Sequence, residues 1–189
     1  MFLEPKITID ELVTRCKAGH RKAHEMLYKM LASKMMGVCL RYATDRMEAE
    51  DMLQNGFIRV FQKIQDYRGE GSFEGWVRRI MVHTSIEHYR KNHRMIQVVD
   101  IDEAGNEPSV NAAAVANLEA RDLLLLIKGL APGYRMVFNL YAIDGYSHKE
   151  IAEIIGITEG ASKSQLSRAR AILKEQVLQM DKKSYENAG

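Results

Sequence analysis

The stretch Gly145-Tyr146-Ser147-His148-Lys149-Glu150-Ile151-Ala152-Glu153-Ile154-Ile155-Gly156-Ile157-Thr158, running on into Glu159 to Lys174, constrains this chain more than any other. Ser147 is followed three residues later by Glu150, a capping-box start in which each residue satisfies a backbone N–H that the first helical turn leaves unpaired. Ile151, Ile154 and Ile155 recur at i, i+3 and i+4, which places them on one helical face. Gly156 ends that helix, because a residue without Cβ adopts the left-handed conformation a helix end needs. Thr158 can cap the next helix. A short helix, a turn containing glycine and a basic second helix predict a helix-turn-helix, whose second helix enters the major groove of DNA.

The second helix can be read face by face at about 100° per residue. Ser162, Leu166, Ala169 and Leu173 form its apolar stripe, with Ser164 and Arg168 opposite. Lys163, Ser167 and Lys174 flank one side and Gln165 the other. Arg and Lys pair with guanine edges or phosphates, and Gln pairs with adenine. A solvated basic face on an ordinary helical hairpin is the plainer alternative, and the DNA reading is the stronger of the two.

Elsewhere the chain reads as all helix, with no convincing run of alternating β-branched residues. Thr8 and Glu11 predict a capping box for a short helix through Cys16, broken at Ala18-Gly19-His20. A long helix is expected from Arg21 to Tyr42, with Ala23, Leu27, Met30, Leu31 and Val38 inward. Asp45 and Glu48 predict another capping box, for a helix to about Ile64 that buries Leu53, Phe57, Val60, Phe61 and Ile64. A polar loop with two glycines, Asp66 to Gly71, precedes Ser72, which caps a helix from Phe73 to about Asn92 with Trp76, Val77, Ile80 and Thr84 inward.

From about Met95 to Val115 the periodicity fails in a polar, acidic stretch that reads as a flexible linker. Helices resume near Asn117, with Leu123, Leu124, Ile127 and Leu130 inward. Pro132 opens a helix to Ala142 at a position where its missing N–H costs nothing. The expected architecture is therefore two helical domains, at 8–94 and 117–180, joined by a linker at 95–116, the second domain carrying the helix-turn-helix. The tail from Asp181 is expected to fray.

Composition narrows the function. The 189 residues are 46% hydrophobic with three prolines, enough for a real core and against long disordered regions. No apolar run approaches the roughly 20 residues of a membrane span, and Met1 to Asp10 lacks the basic-then-apolar pattern of a signal peptide. A cytoplasmic protein without membrane insertion is expected. Cys16 and Cys39 stand apart from any CxxC or Cys/His cluster, so reduced, buried thiols are expected, with no disulfide and no zinc. The histidines are not at metal-ligand spacing with carboxylates. No phosphate-binding glycine loop, nucleophile elbow or metal motif is present. No enzyme activity, no cofactor and no small-molecule substrate are expected.

A net charge of +2 does not by itself announce nucleic acid; its distribution does. Arg78, Arg79, Arg90, Lys91 and Arg94 cluster with His83, His88 and His93, and Lys163, Arg168, Arg170 and Lys174 form a second basic cluster. Two basic patches separated by an acidic spacer suggest two DNA contacts on one chain.

Both halves together resemble one family. Ala49 to Phe61, reading AEDMLQNGFIRVF, resembles region 2.2 of sigma-70-family transcription initiation factors. Tyr67 to Ile80, reading YRGEGSFEGWVRRI, resembles region 2.3, and Gly145 to Lys174 resembles region 4.2. Nothing resembles regions 1.1 or 3, which is similar to the layout of the extracytoplasmic-function (ECF) group. The helix-turn-helix alone is unspecific; its combination with Arg-Gly-Glu-Gly-Ser-Phe-x-x-Trp at this spacing is strong.

The resemblance implies a division of labour. Region 2.2 would dock on the clamp coiled coil of the largest subunit of core RNA polymerase, here through Glu50, Asp51, Gln54, Asn55 and Arg59; Asn55 stands where the family commonly has Glu. The loop Arg68 to Phe73 and the helix after it would read the promoter −10 element. Capturing an unstacked base calls for polar groups on a loop whose glycines allow close approach. Gly69, Gly71 and Ser72 fit this, with Arg68 opening the loop as a further −10 contact, and Arg78, Arg79, His83, His88, Arg90 and Lys91 would hold phosphates of the single strand. Trp76 has two readings, base stacking or core, and its spacing favours core; Tyr67 stays open. Lys163, Ser164, Gln165 and Arg168 would meet the −35 element as duplex, with Gln165 replacing a common Arg and Ala161 a common Thr. The family also implies a separate anti-sigma factor. The competing reading is a conventional helix-turn-helix regulator acting without core polymerase, which leaves the first domain unexplained.

Overall fold

A computed structural model describes residues 7–93 and 120–186. The expected linker at 95–116 lies wholly between these two segments, outside the described residues. The chain forms two compact units, residues 1–89 and 90–189. Among the described residues there is no strand.

The first unit is built from α1 (Ile9–Lys17), α2 (Arg21–Tyr42), α3 (Arg46–Lys63), a 3-10 turn (Ile64–Asp66) and α4 (Phe73–His93), whose last four residues run past the unit boundary. Both arms of the Thr8/Glu11 capping box form. Gly19, at φ +80°, turns the chain between α1 and α2. Asp45 caps α3 through the Glu48 N–H at 2.8 Å, but the reciprocal arm is different from the expected box. The Glu48 carboxylate takes the Thr44 N–H and hydroxyl instead. α2 packs against α1 and α3. Leu12, Leu27, Leu31, Met35, Met52 and Met81 are the large, fully enclosed side chains of this core.

Met30 is not among them: it is 43% exposed, whereas Met35, five residues on, faces inward. α2 carries apolar residues all round, so periodicity alone does not choose the face. Phe61, Trp76 and Ile80 are half-buried rather than enclosed.

The second unit comprises α5 (Ala120–Gly129), α6 (Pro132–Phe138), a π-helical turn (Asn139–Ile143), α7 (His148–Ile155) and α8 (Glu159–Glu186). Pro132 occupies the first turn of α6. The expected helix to Ala142 widens after Phe138, where Asp144 N–H bonds Asn139 O at 2.9 Å. Tyr146 N–H then bonds Leu140 O at 2.9 Å, closing the reversal around Gly145 at φ +78°. Ile127, Leu130, Ala169 and Leu173 form the core, with Leu123, Leu126, Tyr134 and Phe138 packed on it. Leu124, expected inward, is 38% exposed. Four consecutive leucines, 123–126, cannot all face one side of a helix. α8 continues to Glu186, past the Asp181 at which fraying was expected.

Candidate polymerase and nucleic-acid interfaces

The helix-turn-helix forms as its caps dictate. Ser147 Oγ accepts the Glu150 N–H at 3.2 Å, and the Glu150 carboxylate accepts the Ser147 N–H at 2.8 Å. The Ser147 N–H, then the Ser147 hydroxyl at 2.7 Å, donate to the Glu150 carboxylate and hold it below the usual carboxylate range. Gly156 takes the left-handed conformation, φ +76°, and the Thr158 hydroxyl caps α8 through the Ala161 N–H at 3.0 Å. Ile151 is enclosed, and Ser162, Leu166, Ala169 and Leu173 are the buried stripe of α8.

The residues expected to meet duplex DNA are not equally presented. Lys163 is exposed and pairs with Glu159 one turn back, at 2.8 Å. Ser164 and Arg168 are half-buried on the side away from the core stripe. Gln165 is different: its amide oxygen is buried without a hydrogen-bond partner among the described residues. It lies on the flank of the stripe, so its amide must turn outward to reach a base.

A polar column absent from the sequence reading stands behind this helix. His148 Nδ1 lies 2.9 Å from the buried Ser162 hydroxyl. The imidazole stacks on Tyr141, ring centroids 4.4 Å apart, and the Arg170 guanidinium lies 5.7 Å from the Tyr141 ring. Burial, then the Lys163 charge, pushes the His148 imidazole below its ordinary pKa. Only a separation of 14 residues links His148 to Ser162, and no periodic pattern marks it.

On α3, Asp51, Gln54 and Asn55 are exposed, while Leu53, Gly56, Phe57 and Val60 point into the core. Met47 and Ile58, 72% and 54% exposed, share the Asp51/Gln54 face. Eleven residues are close to three helical turns, about 20° from alignment. Sequence reasoning missed these two; their period against the core stripe was the available signal. Glu50 pairs with Arg46 at 2.8 Å. Arg59 bonds Glu87 on α4, and that bond holds the Glu87 carboxyl below its usual range. The structure thus joins Arg59 to α4 and separates it from the Asp51/Gln54 face.

On α4, Arg79, His83 and Arg90 fall on one exposed stripe, within about 40° at helical geometry. Lys91 is exposed beside it. Arg78 is half-buried off this stripe, and His88 faces α3, its Nδ1 3.1 Å from Glu48. Arg68, Gly71 and Ser72 are exposed in the loop before α4. Gly69 and Gly71 sit at φ +81° and +82°, conformations that favour glycine. Ser72 Oγ accepts the Gly75 N–H at 3.1 Å, starting α4. Tyr67, left open by the sequence, is buried in an aromatic cluster with Phe73 and Trp76 at 5.0 and 5.6 Å.

Among the described residues, no group of three His, Cys, Asp or Glu side chains is placed to hold a metal ion. No described helix is long and apolar enough to cross a membrane.

Fold and faces together define a helix-turn-helix DNA-binding protein with a second helical unit that presents a mixed apolar and acidic face. The model of Sigma-70 region 2 matches residues 27–95, and that of Sigma-70, region 4 matches residues 120–173. The RNA polymerase sigma-H factor of Pseudomonas aeruginosa is 25% identical over 85% of this chain and 89% of its own. The ECF RNA polymerase sigma-E factor of Haemophilus influenzae is 27% identical over 91% of this chain and 96% of its own. A co-crystal structure of the sigma factor RpoE with the anti-sigma factor NepR from Bartonella quintana covers 83% of this chain and 97% of its own, at 22% identity and a TM-score of 0.47. The chain belongs to the sigma-70 family of RNA polymerase sigma factors, in its ECF group.

Proposed function

We propose that this sigma factor joins core RNA polymerase through the outer face of α3 and carries it to promoters with two DNA-reading surfaces. The single observation that carries the reading is the α3 face. Asp51 and Gln54 stand exposed between Met47 and Ile58, opposite a fully packed stripe. Exposed apolar side chains bracketing acidic and amide groups suit a protein partner with basic residues better than they suit water.

In this reading the loop Arg68–Ser72 and the Arg79/His83/Arg90 stripe take the −10 element as an opened strand. Lys163, Ser164 and Arg168 meet the −35 element as duplex, with Gln165 reaching it by turning its amide. Residues 8–94 and 117–180 act as regions 2 and 4. A separate anti-sigma factor restrains the protein, which works in the cytoplasm beside the polymerase.

The test is run-off transcription from the DNA upstream of its own gene, with core polymerase and with or without the protein. Initiation at one site, lost in Asp51→Lys/Gln54→Lys, is the expected result. Tight duplex binding by the protein alone, with no initiation, would replace this reading by a conventional helix-turn-helix regulator.

A further inference from the structure

Both ends of the exposed loop before α4 are tied by one residue, Tyr67. Its carbonyl accepts a hydrogen bond from Lys17 Nζ at 2.6 Å, and its hydroxyl donates to Gly71 O at 2.7 Å. Arg68, Gly69 and Glu70 arch between these two ties. Lys17 is the last residue of α1, 50 positions away in sequence. Its ammonium also lies 5.9 Å from the centre of the Tyr67 ring. Gln65 Nε2 returns a bond to Lys17 O at 2.7 Å, so the end of α1 and the 3-10 turn hold each other in both directions.

These ties have a physical purpose. Two glycines at positive φ make a loop that is free to move in the unfolded chain and in any loosely held state. A pocket for an unstacked base must be set before the base arrives, or ordering it subtracts from binding. The Lys17 bond is charge-assisted and half-buried, the stronger kind of hydrogen bond. The ring of Tyr67 is itself fixed by Phe73 and Trp76. The hydroxyl that holds Gly71 is therefore aimed by the packed start of α4.

We propose that Lys17, acting through Tyr67, is a positioning residue for capture of the −10 strand. It sets the conformation of the Arg68–Gly71 loop without touching DNA. The inference rests on the −10 reading of that loop given above.

The experiment uses holoenzyme assembled from core polymerase and the full chain. The probe is the fluorescein-labelled non-template strand across the −10 region of the promoter found by run-off transcription. Lys17→Met keeps the aliphatic stem and removes the donor, and is expected to weaken strand binding about fivefold to tenfold, the scale of one ordinary net hydrogen bond, because the lost tie reaches the strand only through the loop. Affinity for core polymerase and for the −35 duplex should stay unchanged. Lys17→Arg, which can donate to the same carbonyl, should restore most of the loss. Tyr67→Phe should reproduce the loss, and the double variant should be no worse than either single, because both release one loop. If Lys17→Met fails to fold, as thermal unfolding would show, Tyr67→Phe alone carries the test. Strand affinity within twofold of the parent in the folded variant, while Arg68→Ala is defective, would overturn the positioning role. If Arg68→Ala and Ser72→Ala also bind the strand fully, the −10 reading itself fails and the inference falls with it.

Discussion

His148 Nδ1 lies 2.9 Å from the Ser162 hydroxyl and so ties the first turn of α7 to the first turn of α8. Ser162 is fully buried, so its hydroxyl has no access to solvent as a replacement partner. Ser162→Ala is expected to lower the stability of the second unit by about 1 kcal/mol, the usual net worth of one such bond. Chemical denaturation followed by circular dichroism measures it. A variant as stable as the parent would show that the contact positions the helices without contributing net energy.

The same imidazole gives the helix-turn-helix a pH dependence with a definite sign. Burial first, then Lys163, disfavours the charged ring in the folded state, while Glu159 partly opposes them. The unfolded chain therefore takes up the proton more readily. This contribution is complete above the unfolded imidazole pKa of about 6.5. It is lost as pH falls through the folded value. Wild-type melting temperature should drop more between about pH 7 and pH 5 than that of His148→Gln. Equal drops in the two proteins would mean that other groups set the acid response.

How much of this was legible in the sequence depends on the reach of each interaction. The caps at Thr8, Ser147 and Thr158 and the stop at Gly156 were readable, because each satisfies backbone groups within three or four residues. The α8 core stripe was readable from period alone. Met30 and Leu124 were misplaced where apolar residues cover every face of a helix, so that packing, not pattern, selects the inward side. The ties Lys17–Tyr67, Arg59–Glu87 and His148–Ser162 span 50, 28 and 14 residues and join residue types that are common on any surface. Glu48 shows the same limit at short range: its carboxylate closes on Thr44 and His88 rather than on Asp45.

Lys163 pairs with Glu159; in the proposed reading it exchanges that carboxylate for phosphate when α8 meets duplex DNA. The pair is exposed and so contributes little to stability. Lys163→Ala should weaken binding of holoenzyme to −35 duplexes of any sequence and reduce the slope of log K against log salt by about one. Glu159→Gln should strengthen binding, because the competing carboxylate charge is gone. Fluorescence anisotropy across a salt series reads both. An unchanged slope in Lys163→Ala would remove this residue from the phosphate contacts.

Cys16 and Cys39 are buried, and burial pushes both thiols up, Cys39 to about 12. Reactivity follows the thiolate, so neither should alkylate in the folded protein at mildly alkaline pH. Mass spectrometry after iodoacetamide treatment should show no adduct until denaturant is added. Rapid labelling of Cys39 in native buffer would mean that the α2 core opens far more often than its packing implies.

Gly56 on α3 lies directly against Met81 on α4. A Cβ added at Gly56 would stand 2.2 Å from Met81 Sδ and 2.9 Å from its Cε. A flexible thioether usually yields to such a clash, but Met81 is fully enclosed, so its displacement presses on other core side chains. Helix propensity pulls the other way, favouring Ala over Gly by up to about 1 kcal/mol. Overpacking of a filled core costs about 1–3 kcal/mol, so the clash should win. Gly56→Ala is therefore expected to lower the melting temperature of the first unit, and Gly56→Ala/Met81→Val to recover part of the loss. The two changes should be strongly non-additive, because they occupy one space. A Gly56→Ala protein more stable than the parent would show that Met81 repacks freely.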